Sequence, residues 1–250
     1  MALFIALLAA AATCGCFPWM FGDDDSVDTV EEDTDPVMCD DEGYWAGSFT
    51  VYDELSIFDL AGCRYIQGDL EINDTSLTDL HGLEELRTVG GSLSIGYNPQ
   101  LASVAGLDGL FEIDGELHIA GNDALTDLGG LEGLFAVGGR LRIDHNAALA
   151  AFDGLEGLWI VGGDLDIEDN SSLESLDGLN GLAVLGGDEL SVRYNTVLPT
   201  CEAEELAARL IANGFDGIVS IDGNGDGTCD EPDGGVEPDA GIDAGIDGGV

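Results

Sequence analysis

The sequence predicts a mainly β solenoid, and three observations carry that prediction. A stretch of about twenty-four residues recurs from Gly68, Gly91, Gly115, Gly139 and Gly163, and an incomplete copy starts at Gly187. All fit G-x-L-x-I-x-x-N-x-x-L-x-x-L-x-G-L-x-x-L-x-x-V-G, and such a period marks units that bury their apolar side only against their neighbours. Within each copy an L-x-I triplet, such as Leu93-Ser94-Ile95 or Leu165-Asp166-Ile167, alternates as a strand with one buried face does. The rest of the copy mixes spacings of two and three, which sustain no helical period, and glycine pairs at 90–91, 138–139, 162–163 and 186–187 break the chain at the corners. Stacked copies then make a parallel sheet in a β-helix rather than a helix-rich horseshoe.

Before the repeats come two segments of different character. Residues 1–13 are an unbroken apolar run ending in small residues, followed by Cys14-Gly15-Cys16. This resembles a bacterial export signal with a lipobox, which makes 1–16 a signal segment and Cys16, after Gly15, the candidate for lipidation. Residues 17–38 form a linker whose GDDDSVDTVEEDTDP stretch is acidic and poor in large apolar residues, the composition of a disordered tether. Between Tyr44 and Gln67 an opening turn departs from consensus, as terminal repeats do where one side faces water.

Each full copy supplies further inward residues, for example Leu101, Val104, Leu107, Leu110 and Ile113, each worth roughly 1.5–3 kcal/mol if fully buried. One column repeats a polar residue inward: Asn98, Asn122, Asn146, Asn170 and Asn195. Asparagine at a tight corner can bond its own turn and the next coil, so a ladder is expected. The first copy lacks it, being one residue shorter near Asn73-Asp74-Thr75-Ser76, and a looser corner is expected there. After the repeats, Thr200–Asn213 reads as a helix, with Thr200 as N-cap and Gly214 as stop, that lids the open end. Residues 217–221 add a last strand, and 231–250 are a low-complexity, disordered acidic tail.

Composition excludes one class of partner. Fifty-one acidic residues oppose six arginines and no lysine, for a formal net charge of -45, which is incompatible with binding nucleic acid. Six cysteines include no C-x-x-C pair, so zinc is not indicated. Four of them bracket the repeats, and chain proximity favours Cys39 with Cys63 and Cys201 with Cys229, one staple at each end of an exported domain, out of three possible connectivities.

The repeat pattern, preceded by a cysteine pair and closed by Leu198-Pro199-Thr200-Cys201-Glu202-Ala203-Glu204, resembles bacterial relatives of the receptor L domain. That resemblance covers about residues 39–230 and implies a right-handed β-helix related to leucine-rich repeats. The family's receptors bind ligands with this domain, but their cysteine-rich module, second lobe and kinase have no counterpart here, and no functional residue transfers.

Three places could carry chemistry. Asp222, Asn224, Asp226, Thr228, Asp230 and Asp233 fall at the alternating positions of a calcium loop, with Gly227 at its sharp turn, although an ordinary Asx-Gly turn has the same composition. Calcium is the only cofactor suggested. Phe111, Phe135 and Trp159 occupy one column of three consecutive copies. Facing out, they would offer an apolar stripe to a protein or glycan; facing in, they would be a stacked internal ladder. His118, Arg140, Arg142 and His145, flanked by Asp144 and Asp166, form the basic spot of the repeats, either a docking point or ordinary cross-strand pairing. No nucleophile elbow, phosphate loop or metal-spaced His cluster appears, so no enzyme is expected. The expected protein is a non-catalytic surface or secreted binding or adhesion protein, exported to the cell envelope as an outer-membrane lipoprotein or released. It would meet the membrane only through its N-terminal lipid. A ligand-free envelope spacer and a calcium-dependent polysaccharide-cleaving β-helix enzyme are the alternatives.

Overall fold

The structure, a computed structural model, describes residues 39–227. The export signal with Cys16, the acidic linker, the tail, Cys229 and the calcium-loop positions Thr228, Asp230 and Asp233 lie outside the described residues. The described chain is a mainly β solenoid in which every copy contributes one strand to each of two parallel sheets. The wider sheet has eight strands, from Phe49–Val51 at one edge to Ile218–Asp222 at the other. The narrower sheet has seven two-residue strands, from Tyr44–Trp45 to Val184–Leu185. Register is that of the repeat: Leu93 pairs with Leu117, Leu117 with Leu141 and Leu141 with Leu165. Residues two dozen apart in the chain thus become lateral neighbours.

The third side of each coil is an arc of turns without strands. It too is stitched to its neighbours, as where Leu128 N donates to Asp153 O (2.9 Å) and Ala102 N to Thr78 O (3.0 Å). Leucine, isoleucine and valine columns from both sheets and the arcs meet in one continuous core, where Leu101, Val104, Leu107, Leu110 and Ile113 are all fully buried. Phe152 fills the place held by Val104 and Leu128 in earlier copies. The glycine of the L-x-G-L arc is conformationally required: Gly154 has φ +108, and a Cβ there would lie 2.1 Å from Leu128 O. The glycine pairs do something else than expected. None of them has positive φ. They are small because they press on the coil before, a Cβ on Gly139 meeting Gly115 C at 2.8 Å.

The asparagine ladder forms and is longer than expected. Asn98, Asn122, Asn146, Asn170 and Asn195 are fully buried. Each side-chain oxygen accepts the backbone N–H of the residue one coil earlier, as from Asn122 N to Asn146 Oδ1 (3.0 Å). Each side-chain nitrogen donates back to a strand carbonyl of the previous copies, as from Asn146 Nδ2 to Ile119 O (3.0 Å). The residue before each rung is left-handed, with φ of 55–60° at Asp74, Tyr97, His145, Asp169 and Tyr194. For non-glycine residues that conformation costs on the order of 1–2 kcal/mol, which the rungs must offset.

The looser corner expected at the first copy is not there. Thr75 takes the rung position, buried, with its N–H and its hydroxyl both donating to Asn98 Oδ1 (2.9 and 2.7 Å). The missing residue lies after the rung, where the arc absorbs it.

Both ends are closed. At the start, Cys39 is bonded to Cys63 as expected, with Cα atoms 5.5 Å apart. An unanticipated short helix, α1 (Glu54–Phe58), begins there with a capping box: Asp53 accepts from Leu55 N and Ser56 N, and Ser56 Oγ accepts from Asp53 N. At the far end, α2 (Thr200–Ala212) buries Ala203, Leu206, Ala207 and Leu210. It is tied to the last full arc by Arg209 Nη2 donating to Leu179 O (2.9 Å). Its N-cap is Pro199, not Thr200, because the Thr200 hydroxyl donates instead to Gly225 O (3.0 Å). Cys201 is disulfide-bonded.

Replacing Asn146 with alanine would strand the buried Asn122 N–H and take away the side-chain donor to the carbonyls of Ile119 and Asp144, the latter keeping its bond from Gly121 N. The expected loss is about 3–5 kcal/mol in urea unfolding. A loss below about 1 kcal/mol would show the column to be incidental.

Candidate functional site

Two surfaces stand out, one on each sheet. On the narrower sheet the backbone register puts Phe111, Phe135 and Trp159 in one row: Phe135 N donates to Phe111 O and Trp159 N to Phe135 O, both at 2.9 Å. Of the two orientations the sequence allows, the outward one is realised, with Phe111, Phe135 and Trp159 exposed by 52%, 39% and 49%. The inward neighbours Leu110, Leu134 and Leu158 take the core instead. Phe111 and Phe135 stack with ring centroids 5.4 Å apart and planes 4° from parallel. The following outward row runs Glu112, Ala136, Ile160, Val184 by strand pairing, so the stripe broadens along the solenoid. Ile160 and Val184 were not singled out from sequence. The signal was available, since each immediately precedes the inward Val161 or Leu185 of its strand.

The stripe is bordered by acid. Asp108, Glu132 and Glu156 precede the rings in the chain and are exposed, while their carboxylates accept from the glycine N–H of their own arcs: Gly106 to Asp108 (3.0 Å), Gly130 to Glu132 (2.9 Å) and Gly154 to Glu156 (2.9 Å). Glu112 and Asp114 follow and are also exposed. Near its first coil stand Arg64 and Arg87, both paired with Glu85 (3.9 and 3.8 Å).

On the wider sheet the column Glu71, Ser94, His118, Arg142, Asp166, Ser191 is in register as expected. It is not uniformly a surface, because Asp166 and Ser191 are buried under longer neighbours. Asp144 is the hub. His118 Nε2 (2.9 Å), Arg142 Nε (2.8 Å) and His145 Nδ1 (2.7 Å) all reach its carboxylate, which is buried. Arg140 pairs with Asp166, and Arg193 with Glu168 at 2.7 Å. The basic spot is therefore internally neutralised: His118, Arg140 and Arg142 each face a carboxylate of this same chain. Burial opposes the charged form of Asp144, but hydrogen bonds from His118 and His145 and the charge of Arg142 outweigh it and lower the carboxyl from 3.8 to about 2.

The calcium-loop expectation needs correction at Asn224. Its side chain is the terminal rung of the asparagine ladder, accepting from Asn195 N (3.1 Å) and Asn195 Nδ2 (3.2 Å) and donating to Val192 O (2.8 Å). An amide oxygen that already accepts two hydrogen bonds has no lone pair left for a cation. Asp222 ends the last strand and, like Asp226, is exposed. Among the described residues no three His, Cys, Asp or Glu side chains gather to hold a metal ion.

Comparison with known proteins returns no matching family profile, no matching curated protein and no matching solved structure.

Because the Asp144 carboxyl is lowered on folding, its contribution to stability is complete above about pH 4 and fades as pH falls toward 2. Asp144→Asn should cost about 2 kcal/mol at pH 7, and the gap to the parent should close between pH 4 and pH 2. Urea titrations across that range would check it; a gap independent of pH would contradict the assignment.

Proposed function

We propose that this protein is an exported, non-catalytic binding or adhesion protein of the cell envelope whose solenoid presents the Phe111–Phe135–Trp159 stripe to a ligand. The observation that carries the reading is the exposure of three large aromatic side chains in consecutive coils. Nothing in the repeat demands them there, since the same column holds Arg87 before them and Ala183 after them. An apolar row running through consecutive coils of a strongly acidic chain is costly to leave in water and marks a place meant to be covered. The wider sheet supports this by contrast: its charged groups satisfy one another and leave little for a partner.

The cellular setting follows the sequence. The repeat and its cysteine-flanked ends resemble the bacterial relatives of the receptor L domain, and the apolar run before Cys16 resembles an export signal with a lipobox. In this setting Cys16 carries the lipid and the acidic linker holds the solenoid off the membrane.

A pull-down from envelope extract compares the parent with Phe111→Ser/Phe135→Ser/Trp159→Ser. The expected outcome is loss of the captured species in the variant; capture that survives would point to a ligand-free spacer with incidental contacts. Labelling with radioactive palmitate should be globomycin-sensitive and absent from Cys16→Ala, and labelling that persists would exclude that residue as the anchor.

A further inference from the structure

Taking the stripe as the binding surface, a reading on which this step rests, we infer that its ligand is a cationic amphipathic α-helix lying along the solenoid axis. Sugar rings stack on open aromatic faces. Between Phe111 and Phe135 that face is already taken, because the two rings lie against each other at 5.4 Å and nearly parallel. What the row shows to solvent is an apolar ridge that advances one coil at a time.

The step selects the shape of the ligand. One turn of α-helix advances about 5.4 Å, close to the roughly 4.8 Å by which hydrogen-bonded coils follow one another, so apolar residues at i, i+3 or i+4, and i+7 of a helix stay near the rings of successive coils. Same-face residues of an extended strand repeat about every 6.6–6.8 Å, and they fall out of step within two coils. Toward the later coils Ile160 and Val184 widen the apolar surface beside Trp159, giving a second row for the broad apolar face of a helix.

The borders select its charge. Asp108, Glu132 and Glu156 precede the three rings coil by coil, and Glu112 and Asp114 follow the first ring, all exposed. The arginines near the first coil, Arg64 and Arg87, are both committed to Glu85. A helix carrying lysine or arginine beside its apolar face would meet Asp108, Glu132 and Glu156 along one flank and Glu112 and Asp114 at the first coil of the other, and the net charge of -45 would steer it in. An anionic helix of the same apolar pattern would be repelled.

The test uses the full chain and fluorescein-labelled synthetic peptides of about five helical turns, read by anisotropy at two salt concentrations. One peptide has leucines at i, i+3, i+4 and i+7 flanked by lysines. A second has those lysines replaced by glutamates, and a third has the first peptide's composition scrambled to destroy the apolar face. The first should bind, at least ten-fold more tightly than either control. Its binding should weaken at least ten-fold with Phe111→Ser/Phe135→Ser and several-fold with Glu132→Gln/Glu156→Gln, which keep the acceptors that the arc glycines need. Equal binding of the scrambled peptide, or binding indifferent to the phenylalanines, would mean bulk charge attraction and overturn the proposal, as would no binding at all. Should the glutamate peptide or a neutral oligosaccharide bind in a phenylalanine-dependent way, the stripe would remain the binding surface and only the cationic helix would fall. If no probe binds and the envelope capture also survives the triple serine variant, both readings fall together.

Discussion

The hydrogen bonding from one coil to the next is the constraint on which every other feature depends. Strand ladders and arcs supply most of it, but they alone would allow neighbouring coils to slip. The side chains of Asn98, Asn122, Asn146, Asn170, Asn195 and the half-buried Asn224 prevent that, since each one accepts the backbone N–H of the rung residue in the preceding coil, beginning with Thr75. A slip of one residue would leave a polar side chain and its backbone partners buried without each other, at a cost of about 1–3 kcal/mol per group. The register of the solenoid is thereby fixed from the inside by polar contacts, and its cohesion by the leucine columns around them.

Fixed register is what turns a sequence column into a surface. Phe111, Phe135 and Trp159 are two dozen residues apart and still form one row, because the backbone bonds between them repeat without offset. On the opposite sheet the same registry sets His118, Arg142 and Asp166 side by side and lets Asp144 gather two histidines and an arginine. The two faces use it to opposite ends. One closes a charge network on itself, and the other leaves apolar edges uncovered.

Much of this was legible in the sequence, because a repeat reports its own long-range contacts: a period gives the strands, the inward columns and the asparagine ladder together. The exceptions share a cause, in that each is settled by something outside the local string. Thr75 was missed because it is not asparagine and because the deletion beside it obscures the alignment, yet its hydroxyl and N–H meet the same acceptor. Asn224 sits in a string with the spacing of a cation loop, while its actual partner, Asn195, is 29 residues away. The glycine pairs look like corner breakers, but they are small because the adjacent coil lies against them. The direction of Phe111 could not be read either: Leu110 falls on the inward pattern, but a large apolar residue next to it fits an internal ladder as well as an exposed stripe, and the structure leaves it outside. Helix α1 depends on an Asp53–Ser56 capping box that lies within an otherwise irregular cap.

The uniform register also bears on how such a chain can change over time. Every bond between coils spans roughly the same stretch of chain, so the entropy of closing one coil does not grow with the number already in place. Duplicating or deleting a whole repeat would therefore lengthen or shorten the molecule in unit steps while leaving each remaining joint as it was. The array is in this sense a ruler with interchangeable divisions.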